Sequence, residues 1–214
     1  MKYSTYLFDF DGTMVDSMST FVNVLIKLLD ENNIKYGDDL VKIITPLGNA
    51  GIAHYFRELG LNMPEEEIIS LMQKAAINEY TYNIPAKKNV IPVLKELKRA
   101  GASLNVLTAS SHFSLDPCLK RLGIYDLFTN VWSCDDFNTT KTDPMIYKMA
   151  AEKLGEKVEN ILFLDDNLNA DKTAKAAGMK VCGVYDSYSD EYVDDIKAIA
   201  DYYIYDFSEL LELG

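Results

Sequence analysis

Hydrophobic and polar positions change their period along this chain. Tyr6, Leu7, Phe8 and Phe10 form a dense apolar block within residues 2–10, and Asp11-Gly12-Thr13 closes it with a turn signal. This predicts a buried strand whose C-terminal edge carries two acids, Asp9 and Asp11. The spacing then becomes helical, with Phe21, Val22, Leu25, Ile26, Leu28 and Leu29 on one stripe until Asn32-Asn33 breaks it. Further helical pieces are expected over 38–44, 50–60 and 64–82, punctuated by Gly48, Gly51, Gly60 and Pro64. Between about residues 16 and 85 the pattern predicts helices and no strand.

After Pro85 strands and helices alternate. Helix 90–100 is followed by strand 103–108, helix 112–122, a short strand near 130–134 and helix 143–154. Strand 160–164, helix 169–177, strand 179–184, helix 190–198, a short strand near 201–205 and a last helix at 207–212 complete the series. Such alternation implies an α/β fold: a doubly wound parallel sheet of five or six strands, with strand one central. The helical block interrupts the alternation directly after strand one. It reads as an inserted α-helical cap at 16–85, joined by linkers near 13–17 and 83–88 to a core made of 1–15 and 86–214.

In such a sheet the chemistry sits at the carboxyl ends of the strands. Those ends bring Asp9 and Asp11, then Thr108, Ala109, Ser110 and Ser111, then Lys141, then Asp165 and Asp166. Crowded acids repel and lose solvation, and a divalent cation relieves both. Carboxylates and waters suit magnesium, which keeps positions open for a substrate phosphate. In Asp-x-Asp one carboxylate can attack phosphorus while the next handles the leaving-group proton. Thr108 and the backbone N–H groups beyond it suit phosphoryl oxygens, and Lys141 suits their charge. Taken singly, each residue also has a plain structural explanation: an acid-rich turn, a helix-capping hydroxyl, a solvated lysine.

The formal net charge of -12 disfavours nucleic acid and anionic membranes as partners. No apolar run approaches the roughly 20 residues of a membrane helix. The early acids do not fit a secretory signal, so a cytoplasmic protein is expected. Cys118, Cys134 and Cys182 lack metal-type spacing and are expected as free thiols. His54 and His112 lie in no zinc motif. Lys87 and Lys88, beside the second linker, are candidates for meeting an anionic substrate; Thr45, Gly48 and Asn49 are candidates in the cap. Tyr202, Tyr203 and Tyr205 are expected to pack in the last strand.

Four segments carry a family resemblance. DFDGTMVDS at 9–17 resembles the first motif of the haloacid dehalogenase superfamily, VLTAS at 106–110 the second, Lys141 in KTDPMIY the third, and FLDDNLNADKTAKAAG at 163–178 the fourth. They occur in the family's order, and the helical insert lies where a helical cap sits in the phosphoglycolate phosphatase and β-phosphoglucomutase-like members. The resemblance implies a phosphoric monoester hydrolase working through an aspartyl phosphate. Asp9 would be nucleophile and metal ligand, and Asp11 acid/base with its backbone carbonyl on the metal. Thr108 and Ala109, with Ser110 beside them, would bind phosphate. Lys141 would steady the nucleophile and the phosphoryl group, and Asp166 would bind Mg2+ with Asp165 close by.

Two departures stand out. Thr142 replaces a common proline after the lysine, and Ala170 stands where some relatives place a second acid. Asp11 argues against dehalogenation. β-Phosphoglucomutase carries a histidine at the cap linker where this chain has Phe21, so hydrolysis is favoured over a phosphomutase. A receiver-type signalling module phosphorylated on aspartate is the alternative of a different class. The expected partner is a small phosphorylated metabolite such as phosphoglycolate or a sugar phosphate, handled by a monomer or homodimer.

Overall fold

The computed structural model describes residues 2–44 and 47–213, so the candidate Thr45 lies outside the described residues. Strand β1 (Thr5–Phe8) opens the fold, and every one of its side chains is buried. Its ladder is shorter than the apolar block suggests. Beyond Phe8 the Asp9 N–H continues it, donating to Leu164 O at 2.8 Å, before the chain turns at Gly12.

Four helices follow: α1 (Met18–Glu31), α2 (Leu40–Ile44), α3 (Asn49–Glu58) and α4 (Glu65–Tyr82). Residues 18–83 form a compact unit of their own, distinct from the unit made by the residues up to Ser17 together with Ile84 onward. The apolar stripe of α1 places Leu25 and Leu29 against Leu40, Ile44, Ile52, Phe56, Ile68 and Met72 in a separate core. Phe21 packs on the same cluster. Glu65, Glu66 and Glu67 occupy the first turn of α4, where backbone N–H groups favour negative charge. Gly48 is the N-cap position of α3 and Asn49 its first residue.

The α/β unit resumes with α5 (Val90–Arg99), β2 (Ser103–Thr108), α6 (His112–Arg121) and β3 (Asn130–Ser133). It continues with α7 (Pro144–Leu154), β4 (Ile161–Asp165), α8 (Leu168–Ala177), β5 (Lys180–Val184), α9 (Val193–Ile199) and β6 (Tyr202–Ile204). Among the described residues six strands pair in parallel in the order β3-β2-β1-β4-β5-β6. Strand one is therefore interior, with Phe8 opposite Val106 on one side and Leu164 on the other.

Both faces of the sheet are covered. Leu7, Leu107, Phe163 and Val181 share one face with Ile146, Tyr147 and Ala150 of α7 and Ala170 and Ala174 of α8. The Tyr147 ring meets Phe163 edge-on at 5.1 Å. A buried aromatic of this kind contributes about 1.5–3 kcal/mol by removal from water. On the other face Phe8 stacks with Phe207 at 6.0 Å and meets Phe128 edge-on at 6.3 Å.

The helices that precede and follow the site-bearing loops are capped by their own sequence. Asp143 accepts from Met145 N at 2.9 Å ahead of Pro144, which needs no N–H in the first turn. Asn167 accepts from Asn169 N and Ala170 N at the start of α8. At the end of the chain the expected helix is instead a 3-10 segment, Phe207–Glu212, held by a capping box between Asp206 and Glu209. No helix among the described residues is long and apolar enough to cross a membrane. All three cysteines are free and buried.

Candidate active site

β1 lies between β2 and β4, so the residue after Phe8 is flanked by the ends of both neighbours. Asp9 and Asp165 are buried side by side, and Asp166 follows on the same edge. One carboxylate oxygen from each of Asp9, Asp165 and Asp166 lies within 4.8 Å of the others. Lys141, on the loop before α7, pairs with Asp9 Oδ1 and lies 2.7 Å from Asp165 Oδ2. Its loop is fixed from below by the Tyr147 hydroxyl, which is 3.1 Å from Lys141 O and 3.2 Å from Ala170 O.

The remaining carboxylate has neutral partners. The Thr13 hydroxyl is 2.9 Å from Asp166 Oδ1 and 3.4 Å from Asp9 Oδ2, and the Ser189 hydroxyl donates to Asp166 Oδ2 at 3.4 Å. Asp165 Oδ1 accepts from Asn167 N at 2.8 Å. Lys141 thus pairs with two of the three acids, and the third is met by hydroxyls. Burial pushes the Asp9 carboxyl up to about 7, aided by Asp165 and Asp11 and opposed by Lys141. Burial, with Asp165 and Asp9 nearby, raises Asp166 well above the usual carboxylate range. Burial would lower Lys141, but Asp165 and Asp9 outweigh it and hold the ammonium well above its ordinary value.

The excess of negative charge and the all-oxygen donor set fit a hard divalent cation. The turn at Gly12 is built for this close approach. Its φ is +71°, and a β-carbon there would fall 2.5 Å from Asp166 Oδ2, so only glycine passes.

Asp11 stands apart from the carboxylate cluster. Its Oδ2 accepts from the Ser110 hydroxyl at 2.5 Å, which joins the first and second motifs directly. Thr108 is buried at the end of β2, and its Oγ1 accepts from Ser110 N at 3.1 Å. It is not the helix cap: Ser111 holds the N-cap position of α6. Ala109 is exposed at the strand end. The structure thus brings Asp9, Lys141, Asp165 and Asp166 into one polar cluster and links Asp11 to Ser110, with Thr108 behind it.

Thr13, Ser189 and Tyr147 are additions that strand and helix periodicity does not single out. Thr13 could have been found inside DFDGT; Ser189 and Tyr147 carry no local signal. Lys87, a candidate for meeting an anionic substrate, turns inward, with its ammonium 2.5 Å from Gly12 O, 2.6 Å from Tyr185 O and 2.9 Å from Asp186 Oδ2. Lys88 instead pairs with Asp206 at 3.1 Å. Tyr202 and Tyr203 are half-buried in β6, but Tyr205 lies past its end and is exposed.

Comparison with known proteins places this geometry. A family model described as haloacid dehalogenase-like hydrolase matches residues 6–184. A pyrophosphatase PpaX of Bacillus velezensis is 28% identical over 187 residues, covering 86% of this chain and 83% of the relative. A phosphoglycolate phosphatase of Agrobacterium fabrum is 28% identical over 211 residues, covering 95% of this chain and 89% of the relative. Among solved structures, a Haemophilus somnus protein described as a predicted phosphoglycolate phosphatase superposes with a TM-score of 0.84 at 23% identity, over 100% of this chain and 98% of that one.

Proposed function

The chain belongs to the haloacid dehalogenase-like hydrolase family, and from that premise we propose that it is a magnesium-dependent phosphatase acting on a small phosphomonoester. The observation that carries this is the Asp9, Asp165 and Asp166 cluster with Lys141 set into it. Phosphatase function in relatives about as long as this chain supports it. Phosphoglycolate and sugar phosphates are the preferred substrates, and pyrophosphate is the contrasting one.

Asp9 is the nucleophile. It must be ionised to attack, and Lys141 favours that form against the burial that opposes it. Attack on phosphorus forms an Asp9–phosphate bond as the bond to the leaving oxygen breaks. Asp11 gives that oxygen its proton, and the Ser110 hydroxyl orients the carboxyl. Asp11, now a carboxylate, takes a proton from the water that cleaves the aspartyl phosphate and restores Asp9. Thr108, Ala109 and Ser110 line the β2 end as phosphate-binding groups, and Lys141 compensates charge on Asp9, Asp165 and the phosphoryl oxygens. Asp9, Asp165, Asp166 and the Asp11 carbonyl would hold Mg2+, which supplies charge neutralisation for the transferring group.

The test is turnover on a panel of phosphorylated metabolites and pyrophosphate, with Mg2+ or with a chelator, for the wild type and Asp9→Asn. Steady Mg2+-dependent release of phosphate is expected, with Asp9→Asn slower by roughly 10^4-fold or more. Turnover retained by Asp9→Asn would overturn the nucleophile, and a single labelling event without turnover would overturn the phosphatase in favour of a receiver.

A further inference from the structure

Lys87 sits where both hydroxyl partners of Asp166 can be controlled at once. Its three ammonium protons are matched by three acceptors: Gly12 O, Tyr185 O and Asp186 Oδ2. Its backbone N–H also donates to Met14 O at 2.9 Å, and the Asp16 N–H donates to Pro85 O at 3.0 Å, so the segments around Met14 and Lys87 run as a short ladder.

Each tether leads to Asp166 by a different path. Gly12 precedes Thr13, whose hydroxyl reaches Asp166 Oδ1 at 2.9 Å. Asp186 caps the 3-10 segment Ser187–Tyr192 by accepting from Tyr188 N at 2.9 Å, and Ser189 in that segment reaches Asp166 Oδ2 at 3.4 Å. Asp186 is 4% exposed and Lys87 20%, so the pair is shielded from solvent. A charged pair this well covered holds its geometry more firmly than a surface pair, which is worth little.

We infer that Lys87 is a positioning residue that sets the cation affinity of the Asp9, Asp165 and Asp166 cluster by fixing the Thr13 and Ser189 hydroxyls on Asp166. This rests on the magnesium site of the proposed phosphatase. It assigns Lys87 no contact with substrate, because all three of its protons are engaged within the fold.

Two physical effects of removing Lys87 have opposite signs. Deleting a positive charge near a cation site strengthens cation binding by Coulomb's law. Loosening the groups that orient a ligand weakens it, typically by about 10–100-fold. The sign therefore separates tethering from simple charge.

The experiment is Mg2+ binding by calorimetry, without substrate, for the wild type, Lys87→Met and the double variant Lys87→Met/Asp186→Asn. The double variant removes both charges, so no unpaired buried carboxylate burdens its fold. Both variants are expected to bind Mg2+ about 10–100-fold more weakly than the wild type. With saturating Mg2+ and the substrate found in the panel, KM is expected to stay within about twofold while kcat falls. Wild-type affinity in the double variant would overturn the inference, since the effect would then be the stranded charge on Asp186. Tighter Mg2+ binding in Lys87→Met, or a raised KM with kcat intact, would also overturn it. The calorimetry needs no turnover, so failure of the phosphatase proposal in the Asp9→Asn test is read separately.

Discussion

Lys141 Nζ lies 2.7 Å from Asp165 Oδ2 while pairing with Asp9, so one buried ammonium spans carboxylates from two neighbouring strands. Replacing it by methionine keeps the volume and strands both acids. Removing one partner of a buried ionic group is expected to destabilise the protein by about 3–5 kcal/mol. Lys141→Met should therefore melt well below the wild type in chelator and recover part of the loss in Mg2+, with turnover lost in both. A melting temperature unchanged in chelator would mean that the ammonium is not what balances these acids.

The raised Asp9 pKa gives a pH dependence with a definite sign. The folded chain without cation holds its Asp9 proton up to about 7, whereas an unfolded aspartate releases it near its ordinary value of 3.8. The contribution of Asp9 is therefore fully present at acid pH and is lost as pH rises from about 4 through about 7. Asp9→Asn removes this loss. In chelator the variant should be more stable than the wild type at pH 8, by about 1–3 kcal/mol, with the gap closing toward pH 5. Urea titrations at the two pH values measure it, and a gap independent of pH would contradict the assignment.

Asp171 is a further buried acid with a different fate. It lies on α8, fully buried, and neither carboxyl oxygen has a partner among the described residues. Burial, with Asp165 and Asp166 nearby, pushes its pKa well above the ordinary value. An unsatisfied buried polar group costs about 1–3 kcal/mol, and alanine is the better helix former. Asp171→Ala should raise stability by about 1–2 kcal/mol in urea titrations at neutral pH. A loss of stability would show that this carboxyl has a structural partner.

Legibility in the sequence followed the physics of each signal. The parallel sheet is legible because short apolar runs alternate with helically spaced segments from Val90 onward. Asp9, Lys141, Asp165 and Asp166 were readable because strand ends converge in any such sheet. The apolar block outruns strand one, since Phe10 stays apolar after the chain has begun its turn. Phe207 and Leu210 suit either an α or a 3-10 repeat, so the sequence does not separate the two at the last helix. The partners of Lys87 are not legible, because its position beside a linker says nothing of which carbonyls its ammonium meets. Tyr185, Asp186 and Ser189 reach the site by tertiary packing alone, which leaves no local pattern.

The adjacency of β1 and β4 has a bearing on biosynthesis. During translation the strand leading to Asp9 emerges well before the one leading to Asp165 and Asp166. The cluster of Asp9, Asp165 and Asp166 is thus complete only once these distant segments have docked. A product cut short before Asp165 would keep its first motif and lack the cluster, so loss of Mg2+-dependent thermal protection is the expected sign of incomplete folding.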